Sequence, residues 1–452
     1  MGYVRSVLEN SLSLQTLASQ TNQTYVDRIQ NQAVRFMCGG MRSTPAAACE
    51  IEADIEPLDI RRSRALTETV ERYKRLEKDH PNRKLVENWQ QINRLKQNSL
   101  LDKALENERI YHLPENRQQE TKCPQPTPWE TLKQPSIKTF LLDQTATKHS
   151  DPNVLKLSTL ETINSYPQSA IHVYTDGSAF RATKFAGFGV FLRYPDNSTE
   201  HLSDCCGNNC SNYEAEIIAI KSSIELLHQQ FETNEKEPTD VVIFSDSSSA
   251  LDALQNPPFD CRELEEASKS MHILLDTFNI NLNLQWIPGH TDIFGNEIAD
   301  QLAKKGANKP QFDNPCSMNT AKRILRNQSK EEWLNRWAAG TTGRAVFKEK
   351  SKPNKNDNIN KLFRPDQCRI FQFRTGHAKV NMHLNRIDPQ HNPTCRHCQY
   401  PYETTVHILF ECTNLKDHRK KLLPMNPNIN NTLYGPLSQL RLTANFIRLA
   451  IG

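Results

Sequence analysis

The sequence predicts an α/β protein built on a mixed five-stranded sheet flanked by helices. Three observations point there. Between residues 168 and 307, short segments that alternate apolar and polar side chains are interleaved with segments of helical period. One of these, SNYEAEIIAIKSSIELLHQQF, carries an apolar stripe at Tyr213, Ile217, Ile220, Ile224 and Leu227. Three strands precede that helix, and strand and helix alternate after it, an order that gives a mixed sheet with helices on its faces.

The elements follow in order. Residues 1–112 read as a helical segment: in TYVDRIQNQAVRFMCGG the apolar Val26, Ile29, Ala33, Val34 and Met37 recur at helical spacing, and Gly39 and Gly40 supply the stop. A second helix fits IRRSRALTETVERYKRLEKDH and is expected to end near Pro81. Residues 113–167 are Pro-rich and polar and read as a linker. From 168 the strands are IHVYT, AGFGVFLRY, STEHLSD, VVIF and INLNLQW. The intervening helices are the stripe-bearing one, opened by a Ser211/Glu214 capping box, then SSSALDAL, ELEEASKSMHILLDTF and NEIADQLAKKGA. Residues 308–365 read as a basic helical linker, and 366–452 as a separate region rich in Cys and His.

Composition narrows the class. The chain has 452 residues, a mean hydropathy of -0.68 and no apolar run near the ~18 residues of a spanning helix, so no membrane contact is expected. MGYVRSVLEN lacks a signal-peptide pattern. An intracellular, reducing setting is expected, nuclear or cytoplasmic, and the twelve cysteines read as buried or metal-binding thiols rather than a disulfide framework. The net charge of +4 hides a split. Residues 167–307 carry 9 Lys and Arg against 21 Asp and Glu, a balance of -12; residues 308–452 carry 24 against 10, a balance of +14. An acidic, cation-binding block beside a region suited to a polyanion fits that asymmetry.

Three acids stand where chemistry would be placed. Asp176 ends the first strand in VYTDGSA, where turn chemistry is the plain alternative. Glu216 sits about 60° from the centre of the apolar stripe, a costly position for a carboxylate without a partner or a metal. Asp246 follows the buried strand VVIF, at the end where open α/β sheets hold ligands; capping of the next helix is the alternative. A compact sheet can gather all three. Carboxylates converging without Lys or Arg partners repel unless divalent cations lie between them, and hard oxygen donors suit Mg²⁺ or Mn²⁺. Two such ions roughly 4 Å apart can activate a water and stabilise the leaving oxygen of a phosphodiester.

The motifs YTDGSA, SNYEAEIIAI, VIFSDSSSAL and WIPGHTDIFGNEIADQLAKKG, in this order and spacing, resemble ribonuclease H type 1, in particular the form attached to the polymerases of non-LTR retrotransposons. The resemblance covers residues 168–307. It implies that Asp176, Glu216, Asp246 and Asp300 bind two Mg²⁺ or Mn²⁺ ions, that His290 transfers protons and assists product release, and that Ser178 and Asn212 lie in the minor groove of an RNA·DNA hybrid whose RNA strand is cut. Bacterial members of that family carry a basic, Trp-rich protrusion between the second and third helices. The matching stretch here, NPPFDCRELEEASKSMHILLD, is short and acidic, so the flanking regions are expected to supply affinity for nucleic acid.

In TCRHCQYPYETTVHILFECTNL, Cys395, Cys398, His407 and Cys412 form C-x2-C-x8-H-x4-C, a spacing that can close a tetrahedral zinc site, with His397 as a substitute ligand. This segment and the preceding RTGHAKVNMHLNRI resemble the cysteine-histidine motif that follows ribonuclease H in non-LTR elements. IQNQAVRFMCGGMRSTPAAACEIEADIEPLDIRR resembles the region just after their polymerase, without the polymerase's own carboxylate motifs. The expected function is a metal-dependent endonuclease acting on RNA·DNA hybrids, derived from a retrotransposon polyprotein lacking its polymerase. Two rivals remain open: an integrase-like strand transferase, and a nucleic-acid-binding module with an inactive site.

Overall fold

The computed structural model describes residues 6–7, 9–89, 99–119, 133–144, 150–180, 185–256 and 261–452. The chain divides into two compact units: Glu71–Trp89 with His112–Ile324, which contains the sheet, and Met1–Val70 with Gln90–Tyr111 and Leu325–Gly452, which is helical.

The sheet unit runs β1 (Ser136–Lys138), α1 (Pro152–Asn164), β2 (Ile171–Ala179), β3 (Ala186–Arg193), β4 (Thr199–Gly207), α2 (Asn212–Glu232), β5 (Val241–Ser245), α3 (Ser248–Gln255), α4 (Arg262–Phe278), β6 (Leu282–Trp286) and α5 (Phe294–Ala307). The strand order is β1-β6-β5-β2-β3-β4. β3 is antiparallel to both β2 and β4, while the β2–β5, β5–β6 and β6–β1 pairs are parallel.

The sheet thus has six described strands where five were expected. The sixth, β1, lies in the stretch read as a linker and pairs Ser136 with Asn283. Three residues are too few for an alternating pattern to stand out among prolines. α1 comes from the same stretch, opened by Pro152 at its first position and by the Asp151 carboxylate, which accepts from Asn153 N at 2.9 Å.

Alternation along β2 sorts side chains to the two faces. Ile171 and Val173 join the core beneath α2 and α4, which includes Ile217, Ile220, Ile224 and Leu227; each of these aliphatic side chains is worth about 1.5–3 kcal/mol on burial. Tyr174 faces the other way, with Phe191, Phe244, Ile287 and Ala299 of α5. α2 begins as its sequence requires: Ser211 Oγ accepts from Glu214 N at 3.1 Å, and the Glu214 carboxylate accepts from Ser211 N at 2.7 Å.

In the helical unit, Gln20–Cys38 ends at Gly39, whose φ of +69° is the left-handed stop that glycine permits. The next long helix, Leu58–Lys74, stops earlier than its sequence pattern implies, and Pro81, which belongs to the sheet unit, opens the helix Pro81–Glu87 rather than closing one. Proline at a first helical position costs no hydrogen bond. One core joins Val34 and Cys49 to Ile370, Phe371, Phe446 and Ile447, so residues from α6 (Arg364–Thr375) and from the last helix, Leu437–Ile451, pack with N-terminal ones. No described helix is long and apolar enough to cross a membrane.

Candidate functional site

Register places the first two acids together. Thr175 of β2 pairs with Ser245, the last residue of the parallel strand β5, so Asp176 and Asp246 come side by side. The expectation that Asp176 ends its strand at a turn is corrected, since β2 runs on to Ala179 with Asp176 opposite Gly189 of β3. The third acid arrives through a close approach of backbone to backbone. A Cβ at Gly177 would lie 2.3 Å from Glu216 N, so only glycine lets α2 settle against β2 there. One carboxylate oxygen from each of Asp176, Glu216 and Asp246 lies within 4.8 Å of the others. A similar contact seats α5, where a Cβ at Gly189 would lie 2.1 Å from Ala299 O, and the residue after Ala299 is Asp300.

These four acids line one open pocket of about 590 Å³ together with Ser178, Asn212, His290 and Lys304. Asp300 stands apart from the three-oxygen cluster. Its Oδ2 accepts from Lys304 Nζ at 2.5 Å, one helical turn on. Lys304 thus sets a cation beside the fourth acid, which lies outside the trio expected to converge without Lys or Arg partners. Asn212 Oδ1 accepts from Ala179 N at 3.1 Å, tying the end of β2 to the start of α2. His290 is exposed on the β6–α5 loop with φ +56°, a left-handed conformation that a histidine adopts at some cost.

The electrostatics follow from burial. Asp176 is 7% exposed and Glu216 4%. Burial, with Asp246 and Asp300 nearby, pushes the Asp176 carboxyl up to about 8. Burial, with Asp176 and Asp246, holds Glu216 well above the usual carboxylate range. Asp246 is also raised by burial, and His290 works against that rise. Glu216 Oε2 is buried without a hydrogen-bond partner. Hard oxygen donors, an unpartnered buried oxygen and excess negative charge fit a divalent cation of the Mg²⁺ or Mn²⁺ kind.

Sequence reasoning missed two residues here. Asn296 is 4% exposed, holds a buried Oδ1 without a hydrogen-bond partner, and offsets part of the rise that burial imposes on the Asp246 carboxyl. Asn296, Asp300 and Lys304 share one face of α5 at four-residue spacing, and that spacing was the available signal.

The helical unit holds a second cluster. Cys395, Cys398, His407 and Cys412 present ligand atoms within 4.8 Å of one another. Cys395 Sγ and Cys412 Sγ are 3.9 Å apart, near the ~3.8 Å edge of a tetrahedron with Zn–S bonds of ≈ 2.3 Å. Cys398 Sγ lies 3.2 Å from His407 Nε2. Burial opposes ionisation at Cys398, but the Tyr400 backbone, the neighbouring thiols and His407 outweigh it and bring the thiol down to about 7. A π-helical turn, His407–Glu411, carries the histidine. His397 is not brought into the cluster; its Nε2 meets Ala450 O at 2.7 Å.

Fold and site together define a mixed-sheet α/β domain with a carboxylate cluster where β2 passes the carboxyl end of β5 and meets α2. Residues 168–308 match the RNase H family model, and this segment of the chain is an RNase H domain. The chain is similar to "Ribonuclease H" of Haemophilus influenzae (strain 86-028NP), 28% identical over 156 residues, covering 32% of this chain and 95% of that protein. It is also similar to "Ribonuclease HI" of Pasteurella multocida (strain Pm70), 29% identical over 153 residues, covering 32% and 93%. Among solved structures, RNase H1 from the halophilic archaeon Halobacterium salinarum NRC-1 matches with 23% identity and a TM-score of 0.25, covering 30% of this chain and 96% of that one.

Proposed function

We propose that this chain is a metal-dependent endonuclease that hydrolyses the RNA strand of RNA·DNA hybrids, a reading supported by its similarity to bacterial proteins named ribonuclease H and ribonuclease HI. The observation that carries the reading is the meeting of Asp176, Glu216 and Asp246 within 4.8 Å, with Glu216 Oε2 left without a partner. Asp176, Glu216, Asp246 and Asp300 would hold two Mg²⁺ or Mn²⁺ ions. When bound, the ions activate a water and stabilise the leaving oxygen of the phosphodiester. Asn296 favours the ionised form of Asp246 from the neighbouring face of α5. His290, exposed at the pocket mouth, carries protons for the leaving group and assists product release. Ser178 and Asn212 line the pocket and sense the 2′-hydroxyl in the minor groove of the hybrid.

The rest of the chain supplies what an acidic domain lacks. Its balance of -12 holds a polyanion poorly, and the C-terminal balance of +14 provides the affinity. Cys395, Cys398, His407 and Cys412 bind zinc and order that region. The likeness of both flanks to non-LTR elements supports descent from a retrotransposon polyprotein.

The test is incubation of the full chain with labelled RNA·DNA hybrid, double-stranded DNA and double-stranded RNA, with Mg²⁺, Mn²⁺ or chelator, beside Glu216→Gln. Cutting of RNA in the hybrid alone, dependent on metal and lost in the variant, is expected. Joining of DNA ends selects a strand transferase instead, and binding without cleavage selects an inactive binding module.

A further inference from the structure

Beside the Cys/His cluster lies a carboxylate with no exposure at all. Glu403 is fully buried and both its oxygens are in use. Oε2 accepts from Arg396 N at 2.8 Å and Arg396 Nε at 3.0 Å. Oε1 accepts from Arg396 Nη2 at 2.8 Å and from Asn381 N at 2.9 Å. Arg396 lies inside the Cys395–Cys398 knuckle. Asn381 is the first residue of α7 (Asn381–Ile387).

The backbone of Glu403 continues the same work. Its N–H donates to Pro393 O at 2.8 Å, and its carbonyl accepts from Met382 N at 3.1 Å. The next residue, Thr404, accepts from His407 N through Oγ1 at 3.0 Å. Glu403 therefore touches the segment leading into the knuckle, the knuckle itself and α7, and adjoins the residue that orients the His407 turn. A buried carboxylate costs several kcal/mol unless fully paired. A simple tether between a loop and a helix needs no buried charge, whereas an ionised acceptor can gather a guanidinium and two backbone N–H groups in one fixed geometry. Groups behind the ligands of metal sites do this: they fix ligand orientation, and their loss typically lowers metal affinity 10–100-fold.

We infer that Glu403 is the positioning residue of the Cys395/Cys398/His407/Cys412 metal site: its carboxylate holds the knuckle against α7 in the one conformation that aims both of the knuckle's sulfurs at the ion. The inference rests on the reading of that cluster as a zinc site. Metal binding and the docking of α7 are then coupled. Neither the sequence spacing nor the family model, which ends at residue 308, assigns Glu403 any part.

The test measures zinc affinity of the full chain by competition with a chromophoric chelator, and the absorption spectrum of the Co²⁺-loaded protein. Glu403→Gln is compared with wild type and with Glu52→Gln, which breaks another buried carboxylate cluster of the same unit, that with Lys350 and Arg374. The Arg396 side chain is 33% exposed, so water can take up its freed guanidinium and the variant can fold; melting in chelator checks this. The expected result is one zinc per wild-type chain, affinity about 10–100-fold weaker with altered Co²⁺ ligand-field bands in Glu403→Gln, and unchanged affinity in Glu52→Gln. Wild-type affinity in Glu403→Gln overturns the inference and leaves the zinc site standing. Equal losses in both variants overturn it too, by reducing Glu403 to general stability. A wild-type chain that takes up no zinc overturns the zinc reading itself.

Discussion

Replacing Asp176 by Asn should stabilise the metal-free protein while disabling it. Burial and the neighbouring Asp246 and Asp300 displace the Asp176 carboxyl from its ordinary 3.8 to about 8. Between these values the folded, metal-free chain holds a proton that the unfolded chain has released. Stability in chelator must therefore fall as pH rises from about 4 to about 8. That displacement is worth at most on the order of 6 kcal/mol above pH 8, and coupling to Glu216 spreads it over the pair. The neutral amide removes the titration. With about 2–4 °C per kcal/mol for a domain of this size, Asp176→Asn should melt several degrees above wild type in EDTA at pH 8. Added Mg²⁺ should raise the wild type strongly and the variant little. Differential scanning fluorimetry from pH 5 to 9, with EDTA or Mg²⁺, measures all of this. A variant melting at or below wild type in EDTA at pH 8, or a wild type whose metal-free stability climbs through the window, would refute the reasoning.

Gly177→Ala puts a Cβ 2.3 Å from Glu216 N and 2.6 Å from Ala215 C, both backbone atoms; a loss of about 1–3 kcal/mol and roughly 100-fold lower hybrid cleavage are expected, and near-normal turnover would contradict the proposed contact. His290→Ala, at an exposed loop position, should leave the melting temperature within about a degree and reduce kcat roughly 10–100-fold, as steady-state kinetics would register. Lys304→Met frees Asp300 from its exposed ion pair; Mg²⁺ binding measured by calorimetry should tighten about two- to five-fold, in keeping with the ~0.2–1 kcal/mol of such pairs, and weaker binding would show that Lys304 assists the metal.

What could be read from the sequence followed local periodicity. β5 is an unbroken apolar run, α2 pairs a capping box with a full stripe, and Asp246 stands immediately after a buried strand, so each announced itself within a few residues. The convergence of the acids had to be inferred, because the parallel pairing of Thr175 with Ser245 joins residues 70 apart in the chain, as no short-range pattern can. Lys304 and Asn296 escaped notice because single polar residues on a helix ordinarily face solvent. β1 escaped because its pairing with β6, rather than its composition, makes it a strand. The shared core of Val34 and Cys49 with Phe371 and Phe446 lay beyond sequence reasoning, since apolar stripes state that a face is buried and not against what. The four zinc-site candidates were legible from spacing; Glu403, between Cys398 and His407, was not, since nothing in ETTVH distinguishes a buried acid from an exposed one.

The most direct measurement is anomalous diffraction from crystals of the full chain soaked in Mn²⁺. Two peaks roughly 4 Å apart are expected, one among Asp176, Glu216 and Asp246 and the second reaching toward Asp300 with Lys304 turned away. Well-diffracting crystals with no anomalous density between these side chains at millimolar Mn²⁺ would contradict the reading of the acidic pocket as a divalent-cation site.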